Sequence, residues 1–119
     1  MRTVPVLACL VALSACAAAD QDCQGAVGGS INLYGNDTGR GSMRIKNNGQ
    51  WCAFAITSRV GAMGGRLEGE PEHGIARVLQ QSDKLVIGYL PTPGYTGDDQ
   101  FKVAIAGSAH LIINVDVVK

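Results

Sequence analysis

An excess of charge of either sign is missing from this chain: Lys plus Arg total 10, Asp plus Glu total 10, and no basic run occurs in the 119 residues. Affinity for nucleic acid rests on clustered cations, so that class of partner is disfavoured. Long hydrophobic runs are missing too. The longest, Val4 to Leu13, is about ten residues and is interrupted by Pro5, too short to cross a membrane as a helix. Beyond Asp20 no stretch carries a sustained 3.6-residue apolar period, which argues against a helical domain. There is no internal repeat and no low-complexity tail. Catalytic signatures are absent as well: no nucleophile elbow, no metal-ligand spacing and no phosphate loop. Gly61 to Gly65 is glycine-rich but lacks the Lys-Ser/Thr ending and a following helix, and it reads as a connection between sheets. What is present is an apolar fraction of 46% and 16 glycines lying between short apolar runs. That length and composition fit one packed domain, with the glycines at turns.

The first residues read as a targeting segment. Met1-Arg2 supplies a positive charge, the apolar run follows, and Ser14 to Ala19 are small. Leu13-Ser14-Ala15-Cys16 resembles the lipobox of bacterial lipoproteins. The resemblance implies cleavage before Cys16 and acylation of its thiol, which would hold the protein at a bilayer. Ala17 directly after the Cys resembles the outer-membrane sorting pattern. The alternative is ordinary signal-peptidase cleavage after Ala17-Ala18-Ala19, which releases a soluble periplasmic or secreted protein. Residues 1–19 are thus a leader, 20–25 a short polar linker and 26–119 the domain.

Of the 4 cysteines, Cys9 leaves with the leader and Cys16 is lipidated or removed. Cys23 and Cys52 remain, an even pair suited to an oxidising compartment, and a disulfide between them is expected. It would tie the N-terminal segment to an inner strand. Two thiols alone make a poor zinc site.

Short alternating runs bounded by turn residues fill the rest. Strands are expected at Ala26–Leu33, Ser42–Lys46, Gln50–Ser58, Arg66–Glu70, Ile75–Leu79, Lys84–Tyr89, Phe101–Ala106 and Leu111–Val118. Tyr34 to Gly41 reads as a loop, and Asn47-Asn48-Gly49 is the strongest hairpin signal. In the strand after it, Cys52, Phe54 and Ile56 are expected to face the core, with Trp51, Ala53, Ala55 and Thr57 outward. An exposed Trp51 would be a candidate contact residue. About seven or eight strands at this spacing predict an all-β, immunoglobulin-like antiparallel β-sandwich.

From Gly65 onward the chain resembles bacterial cadherin-like and immunoglobulin-like surface modules. The matching residues are Pro71-Glu72-His73-Gly74, Tyr89-Leu90-Pro91, and Gly94-Tyr95-Thr96-Gly97-Asp98-Asp99-Gln100-Phe101. The Cys pair lies outside that pattern. In physical terms, Pro91 and Pro93 stiffen a crossing loop, while Gly94 and Gly97 permit positive φ. Asp99 accepts bonds from loop amides, Phe101 enters the core, and Tyr89 or Tyr95 bonds its hydroxyl to backbone. A calcium site at Asp98-Asp99, joined by Glu68, Glu70 or Glu72, is the rival reading of that segment. His73 and His110 are expected in a turn and a hairpin, exposed to solvent.

These readings lead to a non-catalytic binding or structural module of the cell envelope with no cofactor and no metal. Its partner would be an envelope protein or glycan, with the membrane reached through Cys16. The alternative is a secreted inhibitor or accessory subunit of an envelope enzyme; a small hydrolase is disfavoured by the missing constellation.

Overall fold

The computed structural model describes residues 22–28, 36–57, 64–106 and 108–119. The order of elements is β1 (Cys23–Gly28), β2 (Thr38–Lys46), β3 (Cys52–Thr57), β4 (Gly65–Gly69), β5 (Gly74–Gln81), β6 (Lys84–Pro91), β7 (Gly97–Ile105) and β8 (Ala109–Val118). Five strands form one sheet in the order β1-β2-β8-β7-β4, and three form the other in the order β3-β6-β5. The expected all-β sandwich of seven or eight strands is therefore present. One pairing departs from the antiparallel expectation: β2 and β8 run parallel, Thr38 opposite His110 and Lys46 opposite Val118.

The two inner faces follow from period-two alternation. Met43 and Ile45 of β2, Phe101, Val103 and Ile105 of β7, and Leu111, Ile113, Val115 and Val117 of β8 line one side of the core. Cys52 of β3 and Leu85, Ile87 and Tyr89 of β6 line the other. All are essentially sealed from water, and burying each large one contributes about 1.5–3 kcal/mol. The assignment of Cys52, Phe54 and Ile56 to the inner face of β3 holds, with Phe54 and Ile56 partly buried.

Several local expectations give way to pairing. Strand β1 begins at Cys23, inside the segment expected to act as a linker, and its pairing with β2 runs from Cys23 opposite Ile45 to Gly28 opposite Arg40. Thr38 to Gly41, read as loop, is strand, because β1 and β8 both pair with it and their ladders override turn propensity. Gly41 serves close packing there: a β-carbon would lie 2.8 Å from Ile113 Cδ1 and 3.1 Å from the Ala26 carbonyl oxygen. The Asn47–Gly49 signal marks a turn but not a hairpin. Both edges of β2 are occupied, so the chain crosses to the other sheet and β3 pairs with β6. Asn47 secures the crossing by donating its side-chain amide to the carbonyls of Thr92 (2.8 Å) and Tyr95 (2.9 Å).

The Cys23–Cys52 disulfide is formed, with Cα atoms 5.4 Å apart. It joins β1 to β3, and both are edge strands of their sheets. The expectation of an inner strand is corrected accordingly: the link clamps one margin of the sandwich. Cys16 and the rest of the expected leader lie outside the described residues, as do the 61–63 portion of the glycine-rich connection and Gly35.

Candidate functional site

Two regions carry the sequence-level candidates: a buried polar brace and the two outer faces of the sandwich. The brace lies where β7 starts. Asp98 and Asp99 are neighbours on a strand, so their side chains point to opposite faces. Asp99 turns inward and is about nine-tenths buried. Its Oδ1 accepts from the backbone N–H groups of Glu72 (3.0 Å) and Gln100 (2.9 Å). Its Oδ2 accepts from the His73 N–H (2.9 Å) and the Tyr89 hydroxyl (2.7 Å). A carboxylate offers about four acceptor sites, and all are used. The His73 carbonyl lies 3.1 Å from the same hydroxyl and shares its proton.

The electrostatics follow from this geometry. Burial pushes the Asp99 carboxyl up, but the Tyr89 hydroxyl and the Gln100, Glu72 and His73 amides together outweigh it, so its pKa lies below the ordinary value of 3.8. Burial, and then the bond to ionised Asp99, pushes the Tyr89 phenol well above its ordinary value of 10.0. The pair therefore stays carboxylate and phenol across the physiological range. Around it, the Tyr89 and Phe101 rings stack with centroids 6.0 Å apart, and the His73 ring stacks on Tyr95 at 4.1 Å. Gly94 and Gly97 adopt φ of 86° and 134°, as the loop from Pro91 requires. Tyr95 bonds its hydroxyl to the Asp98 carbonyl.

The reading of Asp99 as a turn brace thus fits the geometry. The calcium reading does not: Asp99 has no acceptor to spare, Asp98 points away from it, and no cluster of three His, Cys, Asp or Glu suited to a metal occurs among the described residues. His110 is not in a hairpin loop. It lies in β8, with Nδ1 2.9 Å from Glu68 Oε1 of β4. The loop expectation failed because β8 begins at Ala109, earlier than the apolar run suggested.

The outer faces differ sharply. On the five-stranded sheet, register places Gln24, Arg44, Asp116 and Asp98 in one row across β1, β2, β8 and β7. The adjacent row is Ala26, Ser42, Asn114 and Gln100. Small Ala26 and Ser42 leave an open groove of about 590 Å³, lined by the first row and by Ala26, Ser42 and Asn114 of the second. It offers amide and guanidinium donors beside carboxylate acceptors. Gln100 donates to Asn114 across the strands at 2.8 Å, which orients the pair.

On the three-stranded sheet, the outward positions are Ala53, Ala55 and Thr57 of β3, Lys84, Val86, Gly88 and Leu90 of β6, and Ile75, Arg77, Leu79 and Gln81 of β5. Trp51 precedes β3 on the same side. Its ring lies over Gly88, where a β-carbon would meet it at 3.5 Å, and the Arg77 guanidinium sits 5.0 Å from the ring centroid. Trp51, Ile75 and Leu79 are 42%, 52% and 53% exposed, and they are the exposed large hydrophobics among the described residues. All three belong to this face. Sequence reasoning found Trp51 but missed Ile75 and Leu79, because both faces of β5 read as apolar. Pairing decides between them: Ala76 lies opposite Tyr89 and Val78 opposite Ile87, so the smaller pair faces in.

No protein-family model matches the chain, and no curated protein matches it. Among solved structures it is similar to part of an endo-fucoidan hydrolase of glycoside hydrolase family 107, at 10% identity and a TM-score of 0.42 over 66% of this chain. The chain spans 13% of the length of that hydrolase. No activity is carried over from a likeness this distant.

Proposed function

We propose that the chain is a non-catalytic, immunoglobulin-like module of the bacterial cell envelope, exported by its leader, held at the outer membrane by lipid on Cys16, and binding a protein or glycan partner. The observation that carries the reading is the polar groove across the five-stranded sheet. Its row of Gln24, Arg44, Asp116 and Asp98 supplies donors and acceptors in one line, the chemistry that matches hydroxyl-rich or polar protein surfaces. The groove sits on paired strands braced beneath by Asp99 and clamped by the disulfide, so these groups are held in place before a partner arrives. The disulfide also fits export to an oxidising compartment. The buried carboxylate, Asp99, is fully engaged in holding turns and Tyr89, which supports a role through surfaces.

A photo-crosslinking residue at Ser42, in cells expressing the chain with its native leader, tests this. The expected result is one dominant envelope adduct, weakened by Arg44→Ala or Asp116→Ala. Adducts no stronger than those from a probe at exposed Thr38 would refute it. A single stoichiometric enzyme in the adduct would favour the inhibitor or accessory-subunit reading. Turnover of an envelope polymer by the purified protein would refute the non-catalytic assignment.

A further inference from the structure

Among the described residues, no element covers the apolar outer face of the three-stranded sheet. Soluble monomers seldom leave several large apolar side chains exposed on one contiguous face. Trp51, Ile75, Leu79, Val86, Leu90 and the small Ala53 and Ala55 stand together here. The charges among them are cationic: Arg77 stacks on Trp51, and Lys84 ends the face. None of the outward strand positions is a carboxylate. The nearest acids in sequence, Glu72 and Asp83, sit in the turns flanking β5. An apolar surface with a tryptophan and cations and no acids complements the interface of an anionic bilayer.

Tether length points to the same occupant. Only five residues lie between Cys16 and Asp22, so the two are six chain steps apart, a reach of about 20 Å when extended. Asp22 leads directly into Cys23, whose Cα lies 5.4 Å from that of Cys52, the residue after Trp51. Asp22 and Trp51 line one shared groove at that end of the sandwich. Acyl chains on Cys16 would therefore hold the Trp51 end of the face within reach of the headgroups. From the Ile75 row to Leu79 is about 13 Å along the strand, so the whole face can settle once its end is held.

We infer that the sheet face bearing Trp51, Ile75 and Leu79 docks on the anionic bilayer to which the chain is anchored, turning the polar groove outward. The inference rests on the lipid-anchored reading of Cys16. In this orientation the indole lies at the headgroup level, Ile75 and Leu79 enter the outermost acyl region, and Arg77 and Lys84 meet phosphates. The groove on the opposite sheet is then left open for the partner.

The chain contains one tryptophan, so its fluorescence reports this face alone. The test uses the full-length protein, isolated from cells fed labelled palmitate and placed in phosphatidylglycerol–phosphatidylethanolamine vesicles with bromine on the acyl chains near the headgroup. The expected result is palmitate on the protein, a blue shift of Trp51 emission and quenching by the bromolipids. Leu79→Glu, a change at an exposed position, should retain the label and the fold yet lose most of the quenching. Labelled protein with unquenched Trp51 overturns the docking and leaves the anchor standing. Unlabelled protein overturns the anchor and the docking with it. A photo-probe at Leu79 that captures a protein and no lipid in cells assigns the face to a protein partner and overturns the inference.

Discussion

The bond from Tyr89 to Asp99 can be broken without touching the packing around it. Tyr89→Phe keeps the ring stacked on Phe101 and removes only the hydroxyl that donates to Oδ2 at 2.7 Å. Asp99 then stays buried and ionised with three donors in place of four. A hydrogen bond to a charged group contributes about 1.5–3 kcal/mol, so the expected loss near neutral pH is about 2 kcal/mol. For a domain of this size that lowers the melting temperature by roughly 10 °C. Acid should shrink the deficit. Because the folded Asp99 pKa lies below 3.8, the stability it contributes is full above that value and is lost as pH falls through the folded pKa. Once Asp99 is protonated in both proteins, the hydroxyl no longer donates to a carboxylate and the two curves converge. Urea unfolding followed by far-ultraviolet circular dichroism, at neutral pH and again near pH 2, measures both effects. A cycle with Asp99→Asn isolates the coupling, expected at about 1–3 kcal/mol. A neutral-pH loss under about 0.5 kcal/mol, outside the range of charged bonds, or a deficit undiminished in acid, would refute the brace as the source of this stability.

Four further outcomes are expected. Replacing Cys23 and Cys52 by Ala frees a loop closed at a sequence separation of 29, and the chain-entropy relation gives a loss of about 3.6 kcal/mol, read as a lower urea midpoint. Gly74→Ala drives a β-carbon to 2.6 Å from the Leu90 carbonyl oxygen and the Tyr89 ring; a cost of about 2–3 kcal/mol is expected, against almost none for Gly28→Ala, where among the described residues nothing beyond its chain neighbours lies within 4 Å. Phe101→Ala opens a cavity beside Tyr89 and should cost about 3–5 kcal/mol; a loss below 1 kcal/mol on the same urea curve would contradict its burial. In alkali, the raised phenol of Tyr89 contributes stability that is full below the unfolded value of 10.0 and declines as pH rises beyond it; the wild type should weaken above that pH more than Tyr89→Phe does.

Much of the candidate site was legible because it depends on neighbours along the chain. The Gly97-Asp98-Asp99-Gln100-Phe101 segment contains the acceptor, the positive-φ glycine and the core aromatic, and local geometry puts each on its required side. What escaped were features that need a third strand. Ile75 and Leu79 are as apolar as Ala76 and Val78, and nothing within β5 states which pair faces water. The polar row was hidden for the same reason: Gln24, Arg44, Asp98 and Asp116 are far apart in sequence and meet only through the ladder.

By itself the sequence determined the class and which residues of a strand share a side. Period-two alternation, closely spaced turn residues and an even pair of cysteines leave an all-β sandwich with one disulfide, since side-chain direction in a strand is a local property. Tertiary structure decided who pairs with whom. Asn47 to Gly49 signals a reversal, yet β2 already has β1 and β8 on its two edges, so β3 had to join β6 across the sandwich. A strand's backbone has only two edges to offer, and which neighbours fill them is settled by contacts across the whole chain; that choice created the polar groove on one face and the apolar surface on the other.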